Sequence, residues 1–296
     1  MSAGIRARLA KYPAGLVLAP WVVRWARWMV LGILVAMAAS HLHWMIADWN
    51  LHDARYYYDA AVHLRNGEDL YVVGDPRSTF RYPPWFAAAW IPLTFMPKEA
   101  AVIAWSVAML VASAWAIWPL IRQGTPAALL AALLFGELLF AISSIGNVQP
   151  LMVGVLLWGI PRRSGPLWIA LAASLKVTPL AFALVYVARR EWWRAGLAAG
   201  LTVALVAPMF LYEIPPNVFS MGTMAILPTF VWLPLAVVAG GAAAVIAWKR
   251  SSRTPLAAGV AAVLCLPRLL MYDVAMLMPA AVTLPAASAE ERKSRS

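Results

Sequence analysis

The sequence is poor in charge and has almost no cysteine. Charged residues occupy 12% of the 296 positions and hydrophobic residues 63%, which excludes an ordinary soluble globular domain. The single cysteine, Cys265, excludes a disulfide within the chain, and its apolar neighbours in the sequence indicate a packing role. The chain also lacks a Walker motif, a GxGxxG fingerprint and a serine-hydrolase elbow, which argues against a nucleotide-driven pump.

Histidine is scarce as well, and its positions do not indicate a metal site. The four histidines are His41, His43, His52 and His63, and their spacing lacks a metal-ligand arrangement. His52 adjoins Asp53, so it is placed to influence that carboxylate. We predict neither a metal nor a cofactor.

The hydrophobic residues form long blocks separated by short polar turns, which is the pattern of a polytopic α-helical membrane protein. Tryptophans flank several of these blocks, as interfacial anchors do. The formal net charge of +11 comes largely from basic residues in short turns, so the positive-inside rule explains it better than nucleic-acid binding. No internal repeat or linker is visible, and we expect residues 1–296 to form a single integral membrane domain.

The basic N-terminal residues predict a topology that starts in the cytoplasm. The apolar run Trp28–Ile46 is long enough to span, so we favour an uncleaved anchor over a signal peptide cleaved at Ala36-Met37-Ala38. Residues 48–84 then form a long outer loop. This topology requires the segment Trp85–Met96 to return to the outer face. It also requires Leu167–Val187 to turn back around Lys176. We expect the polar tail, residues 286–296, to lie inside.

The outer loop, residues 48–84, is the only long polar segment between the apolar blocks. It contains six of the thirteen acidic residues, four arginines and the run of tyrosines 56–58. Long loops of mixed charge between membrane segments are more often functional than mere spacers. We therefore interpret it as the reactive face of a membrane enzyme.

Asp53 is the first candidate catalytic residue. A carboxylate just beyond a helix end, at the bilayer surface, is suited to act as a general base toward a hydroxyl. Two alternatives stay open, namely a solvated loop acid and a helix cap for the stretch Ala54–Leu64. Asp48 and Asp59 compete for the same role.

Lys176 is the second candidate, because a lysine inside an apolar segment usually faces a cavity or a charged partner. Beside Pro179 it is placed to meet an anionic phosphate. The alternatives are snorkelling to the interface, or pairing with Glu137 or Asp273.

Arg268 and Asp273 interrupt the last pair of apolar segments. Arg268 suits bidentate contact with phosphate, while Asp273 is suited to hold either Arg268 or Lys176. An internal ion pair without a role in chemistry is an equal alternative. Two further stretches, residues 82–84 (YPP) and 146–149 (GNVQ), are either helix boundaries or the lining of a polar site with unwound backbone.

The order of these stretches resembles glycosyltransferase family 87. The residues that carry the resemblance are 53–61 (DARYYYDAA), Gly67 with Leu70-Tyr71, 80–84 (FRYPP), Pro92-Leu93, Pro97, 146–149 (GNVQ), 175–180 (LKVTPL), 189–193 (RREWW) and Tyr272-Asp273. These blocks extend over most of the chain in the family's order, which is more specific than any one of them.

The resemblance implies a GT-C-type fold and a polyprenyl-phosphate sugar donor. The family includes the phosphatidylinositol mannoside mannosyltransferase and related arabinosyltransferases. Asp53 matches the catalytic aspartate of the first outer loop, and Lys176 matches a family-typical lysine, for which the resemblance implies a role in binding the donor phosphate. From its own chemistry, we expect Arg268 to bind the same phosphate. We expect the pocket for sugar and acceptor to be formed by Arg55, Tyr56, Tyr57, Arg81, Tyr82, Asn147, Gln149, Tyr272 and Asp273.

The prediction is therefore an inverting membrane glycosyltransferase. It would transfer a mannose- or arabinose-like sugar from the lipid donor to a glycolipid or glycan, with Asp53 as general base. We expect it in a bacterial inner membrane with its site facing the periplasm or exterior. The alternative is a transporter or flippase for a lipid-linked or anionic solute, because broken helices and intramembrane charges fit that class too.

Overall fold

The computed structural model describes residues 20–48, 51–71, 80–214, 228–266 and 270–280. Within these ranges all regular structure is helical, which confirms the predicted all-α membrane protein. The α-helices are α1 Pro20–Asp48, α2 His52–Asn66, α3 Pro84–Trp90, α4 Lys98–Gln123, α5 Pro126–Ser143, α6 Gln149–Gly159, α7 Gly165–Leu175, α8 Leu184–Ala188, α9 Trp192–Val206, α10 Thr229–Trp248 and α11 Thr254–Leu264. The 3₁₀ helices are Ile91–Phe95, Thr178–Ala183, Ala207–Leu211 and Met271–Leu277.

Five helical segments of the described chain are long and apolar enough to cross a membrane. They are Trp21–Ala47, Lys98–Gln123, Pro126–Ser143, Trp192–Leu211 and Phe230–Trp248. Local signals set their ends. Pro126 begins α5 where its missing N–H costs nothing, and Gly124 ends α4 in the left-handed conformation at φ 65°.

Four apolar helical segments of 10–17 residues in the described chain are shorter than a full crossing, namely Gln149–Gly159, Gly165–Leu175, Thr178–Ala188 and Thr254–Leu264. An eleven-residue helix such as α6 or α7 is only about 16 Å long. The helix α6 packs against α4 and α5, whereas α7 packs against α9 and buries several small residues. Short helices of this kind are tolerated at membrane depth because neighbouring helices, rather than lipid, surround their exposed backbone groups.

Basic residues from different helices meet at one end of the bundle, which we call the basic end. The Arg27 guanidinium donates to the carbonyl of Arg122 at 3.1 Å, and that of Arg194 donates to the carbonyl of Arg162 at 2.5 Å. The Arg190 guanidinium lies 4.6 Å from the ring centroid of Trp248. The ends of α4, α6, α8 and α10 and the starts of α1 and α9 therefore lie together.

The opposite helix ends meet at the other end of the bundle, which we call the loop end because α2 lies there. Its contacts join Asp53 to Asn147, Lys176 to Asp273, and the rings of Tyr71 and Tyr212. Between successive contacts, as from Asn147 to Lys176, the chain runs to the basic end and returns to the loop end. The grouping of basic turns at a single end is the arrangement that the positive-inside rule requires.

Both segments that the topology requires to turn back do so. The segment Trp85–Met96 forms α3 and a 3₁₀ turn that pack on α2, where the Tyr58 hydroxyl donates to the Met96 carbonyl at 3.0 Å. The segment Leu167–Val187 divides at Lys176, which has extended backbone between α7 and the following 3₁₀ turn. Of the predicted outer loop, residues 49–50 and 72–79 lie outside the described residues, as does the whole tail, 286–296.

We predict that the two ends of the bundle face opposite sides of the membrane, the loop end outward. In a Cys265→Ser background, single cysteines at Glu68 or Glu213 should react with a membrane-impermeant maleimide in intact cells. Cysteines at Arg163 or Arg253 should react only after permeabilisation. Equal labelling of both pairs in intact cells would contradict the topology.

Candidate active site

The first turn of α2 is docked on the turn that connects α5 and α6. The carbonyl of Ile145 accepts hydrogen bonds from the backbone N–H groups of Asp53, at 3.1 Å, and Ala54, at 3.4 Å. The residue that precedes the helix is Leu51, whose side chain makes no capping bond. Asp53 is thus not the cap residue of α2, and another part of the chain satisfies the donors at this helix start.

Gly146 makes this docking sterically possible. Its backbone has φ 76°, in the left-handed region that favours glycine. A Cβ atom at this position would lie 2.4 Å from the Ala54 Cβ and 2.9 Å from the Ser106 Oγ. Its carbonyl also accepts a 2.8 Å hydrogen bond from the Trp105 indole. The turn therefore fits between α2 and α4 only without a side chain.

Asn147 connects the same turn to the carboxylate of Asp53. Its amide nitrogen lies 2.5 Å from the Asp53 Oδ2, and its amide oxygen accepts a 2.8 Å hydrogen bond from the backbone N–H of Gln149. Because the backbone N–H can only donate, the amide oxygen must face Gln149 and the NH₂ group must face Asp53. The orientation of the carboxylate is thereby fixed by the start of α6.

An aromatic cluster holds α2 against α3 and α4. Tyr57 is 2% exposed, and its ring makes edge contacts with Tyr82, Phe86, Trp90 and Trp105 at centroid distances of 5.2, 4.9, 5.5 and 6.3 Å. Edge contacts of this kind add to the stabilisation from buried area. The cluster fixes the face of α2 that carries Asp53.

Two tyrosines of this cluster stay protonated at neutral pH. The Tyr57 hydroxyl donates to the Tyr82 hydroxyl at 3.2 Å. Burial raises the pKa of Tyr57, and the electrostatic interactions with the Tyr82 phenol and the Asp53 carboxylate raise it further. Burial and then the Asp53 carboxylate likewise raise the pKa of Tyr82. Both phenols therefore offer neutral hydroxyl groups beside the carboxylate.

Lys176 is held by a buried carboxylate. Its ammonium group donates to Asp273, which is 0% exposed, and lies 5.1 Å from the ring centroid of Tyr272. The other oxygen of Asp273 accepts from the backbone N–H of Leu270 at 2.9 Å. The sequence left Glu137 and Asp273 open as partners of Lys176, and in the structure the partner is Asp273.

The other acidic candidates are engaged elsewhere. The Oε1 atom of Glu137 lies 3.2 Å from the Nε2 atom of His41. Both carboxylate oxygens of Asp59 accept hydrogen bonds from the Lys98 ammonium group, at 2.7 and 2.8 Å. The side chain of Asp48 lies outside the described residues. In the described ranges, no three His, Cys, Asp or Glu side chains come together as a metal site requires.

A cavity of about 310 Å³ at the loop end brings most of the predicted site residues together. This volume lies within the range of small-molecule sites, roughly 300–1,000 Å³. The predicted residues that line it are Asp53, Tyr56, Tyr57, Arg81, Tyr82, Asn147, Gln149, Lys176 and Tyr272. The apolar residues that line it are Phe80, Val148, Met152, Leu175, Leu266 and Leu270.

Three of the predicted residues are not part of this lining. The guanidinium of Arg55 donates to Glu99 at 2.9 Å, on a half-exposed surface beside α4. Asp273 is completely buried and accepts a hydrogen bond from Lys176, which does line the cavity. Arg268 lies outside the described residues.

The cavity offers donors to an oxygen-rich ligand. Gln149 is 1% exposed, and its amide nitrogen has no hydrogen-bond partner among the described residues. A buried donor without a partner is costly unless a ligand supplies an acceptor. Two cationic side chains, Arg81 and Lys176, line the same cavity as the Asp53 carboxylate. This set of groups suits a ligand that carries hydroxyl groups and an anionic group.

Sequence reasoning missed the residues that position the site. Trp105 lies within an apolar helix and resembles any other membrane tryptophan until its bond to Gly146 is seen. Met152, Leu266 and Leu270 are ordinary apolar residues in the sequence. The only available signal was the polar stretch 146–149, which interrupts an otherwise apolar region.

A comparison with protein families supports the resemblance seen in the sequence. The profile of glycosyltransferase family 87 matches residues 80–219, which include Arg81, Asn147, Gln149 and Lys176. Asp53 and Asp273 lie outside the matched segment. No curated protein and no solved structure gave a match.

The family match and the helical architecture together identify a membrane glycosyltransferase. Its substrates are accordingly a sugar donor and an acceptor, and it acts at a lipid bilayer. The match favours sugar transfer over the alternative of a transporter or flippase.

We predict that Gly146→Ala will displace Asp53 and lower sugar transfer. The new Cβ would clash with Ala54, and the left-handed backbone adds about 1 kcal/mol of strain. Gly67→Ala is the matched control, because Gly67 has φ 72° but no atom within 4 Å of an added Cβ. Both variants should lose some thermal stability, whereas only Gly146→Ala should lose most of its transfer activity. Equal activity in the two variants would contradict the docking argument.

Proposed function

We propose that this membrane glycosyltransferase transfers a mannose- or arabinose-like sugar, with inversion, from a polyprenyl-phosphate donor to a glycolipid or glycan. The proposed location of the reaction is the outer face of a bacterial inner membrane. One observation carries the proposal: a carboxylate and cationic side chains line a single cavity at the loop end. Everything else in the mechanism follows from the placement of these groups.

Asp53 is the proposed general base. As the acceptor hydroxyl oxygen attacks the anomeric carbon, its proton passes to the Asp53 carboxylate. The hydrogen bond from Asn147 to Oδ2 fixes the plane of the carboxylate before the substrate binds. Such prior orientation lowers the entropic cost of reaching the reactive geometry.

Lys176 is the proposed ligand of the departing phosphate. The bond between the anomeric carbon and the phosphate oxygen breaks, and the lipid phosphate leaves with one more negative charge than it had in the donor. A fixed cation is most useful where such charge develops. Arg81 lines the same cavity and adds a second positive charge. Arg268 keeps its predicted role as a further phosphate ligand.

The remaining polar groups are proposed to hold the sugar. Gln149 offers an amide donor that lacks a partner among the described residues, which suits a sugar hydroxyl. Tyr56, Tyr57 and Tyr82 add phenol groups on the same cavity. A site built around buried hydrogen-bonding groups discriminates strongly against ligands that lack the matching hydroxyl.

The apolar part of the cavity suits the lipid end of the donor. Leu175, Leu266 and Leu270 line it beside Lys176. A phosphate on Lys176 would therefore have apolar side chains next to it for the first units of a polyprenyl chain. This arrangement supports a donor presented by the bilayer rather than a soluble nucleotide sugar.

We predict that Asp53→Asn will lower the rate of transfer from a synthetic polyprenyl-phosphate sugar by about 10²–10⁴-fold, the usual contribution of a general base. The amide keeps the shape of the side chain but is not basic. Asp59→Asn is the control on the same helix, because Asp59 pairs with Lys98. It should transfer sugar at a rate close to wild type. Loss of activity in Asp59→Asn alone would transfer the role of base to Asp59.

Variants of the Lys176–Asp273 ion pair can separate its effect on the stability of the fold from its effect on the rate of sugar transfer. Lys176→Met leaves Asp273 buried without its partner, which we expect to cost about 3 kcal/mol of stability. The double variant Lys176→Met/Asp273→Asn removes both charges and should recover much of the thermal stability. Its transfer rate should remain about 10²-fold below wild type, because the phosphate ligand is still absent. Full recovery of transfer in the double variant would show that the pair is purely structural.

A further inference from the structure

A second cavity lies at the basic end of the bundle, between α4 and α6. It has a volume of about 310 Å³ and is lined by Trp118, Pro119, Arg122, Leu157 and Trp158. Arg122 belongs to the last turn of α4, and Trp158 to the last turn of α6. The cavity is therefore at the opposite end of the helices from the proposed site of sugar transfer.

The walls of this cavity are apolar and firmly packed. The ring of Trp158 stacks on that of Trp115, with centroids 5.4 Å apart and an angle of 5° between planes. Gly154, one turn before Trp158, leaves room for Trp115, because a Cβ there would lie 2.6 Å from the Trp115 ring. The position of the Trp158 ring in the cavity wall is thus fixed by packing.

One arginine lines this cavity and two others contact its lining residues. Arg122 is exposed, and the guanidinium of Arg162 lies 5.5 Å from the ring centroid of Trp158. Arg27 contributes a third guanidinium, which donates to the Arg122 carbonyl at 3.1 Å. In the described part of the chain, no carboxylate forms an ion pair with any of these three arginines.

The lining also contains a polar group that lacks a partner. The indole nitrogen of Trp158 is buried and makes no hydrogen bond to any described residue. An unpaired N–H group beside uncompensated arginines is complementary to the oxygens of an anion. Apolar walls below the same groups are complementary to a hydrocarbon chain.

We propose that this cavity binds one anionic phospholipid. Its phosphate would be held by Arg122 and the Trp158 indole, and one acyl chain would lie against Trp118 and Leu157. A zwitterionic lipid would bring its choline group toward the three arginines, so charge complementarity favours the anionic headgroup. The position at the basic end separates this lipid from the sugar donor.

The lipid would stabilise the two helices that support the active site. At the loop end, α4 carries Trp105, which binds the turn at Gly146, and α6 begins with Gln149. A lipid that joins the other ends of α4 and α6 restrains both helices. A ligand that binds only the folded state stabilises it by RT ln(1 + [L]/Kd) and so raises the unfolding temperature as the ligand concentration rises.

The test is native mass spectrometry of the purified full chain in detergent, titrated with equimolar phosphatidylglycerol and phosphatidylcholine of identical acyl chains. Wild type should retain one phosphatidylglycerol in preference to phosphatidylcholine. Arg122→Gln should weaken phosphatidylglycerol binding by about tenfold, since a charge-assisted contact is lost. Arg163→Gln is the control, because Arg163 is exposed at the basic end but does not line the cavity.

Trp158→Phe gives a second test, which keeps an aromatic side chain and removes the indole N–H group. It should also weaken phosphatidylglycerol binding, and lipid-free thermal unfolding identifies a variant that has simply lost its fold. Equal retention of the two lipids by wild type would overturn the proposal. An unchanged lipid preference in a folded Arg122→Gln variant would do the same, as would an equal loss in Arg163→Gln.

Discussion

The structure of the active site depends on one contact, the docking of the first turn of α2 on the turn between α5 and α6. The Ile145 carbonyl takes the hydrogen bonds of the helix start, Gly146 allows the close approach, and Asn147 binds the carboxylate of Asp53. The aromatic cluster around Tyr57 and the ion pair between Asp59 and Lys98 also hold α2 against the bundle, but this contact sets the position of the Asp53 carboxylate. Because of this contact, Asp53 at the start of α2 lines the cavity.

A second constraint is the neutralisation of charge at the membrane boundary. Lys176 is tolerated within an apolar region because Asp273 is completely buried against it. An unpaired charge at either position would be costly. The pair also keeps the ammonium group at the cavity, where a phosphate of the proposed donor would meet it. Stability and the proposed chemistry therefore depend on the same two side chains.

The sequence predicted the fold class from its apolar blocks, and it predicted most of the cavity lining from the polar segment 48–84, the family resemblance and a few isolated polar residues. Polar residues such as Asn147 and Lys176 are conspicuous in apolar surroundings, where each needs a partner or a water-filled site. The choice of partner was not predictable, because Lys176 and Asp273 are 97 positions apart and Glu137 was an equal alternative. Arg55 was grouped with the site through its neighbours in the sequence, yet it extends to Glu99. Local patterns do not reveal which face of α2 packs inward.

The central claim is that Asp53 and Lys176 act on the two sides of one sugar–phosphate bond. Electron cryo-microscopy of the protein in lipid nanodiscs with a non-transferable polyprenyl-phosphate sugar analogue tests it most directly. We expect the phosphate beside Lys176, the sugar within the cavity, and the anomeric carbon exposed toward Asp53. A phosphate bound away from Lys176, or a sugar outside this cavity, would contradict it.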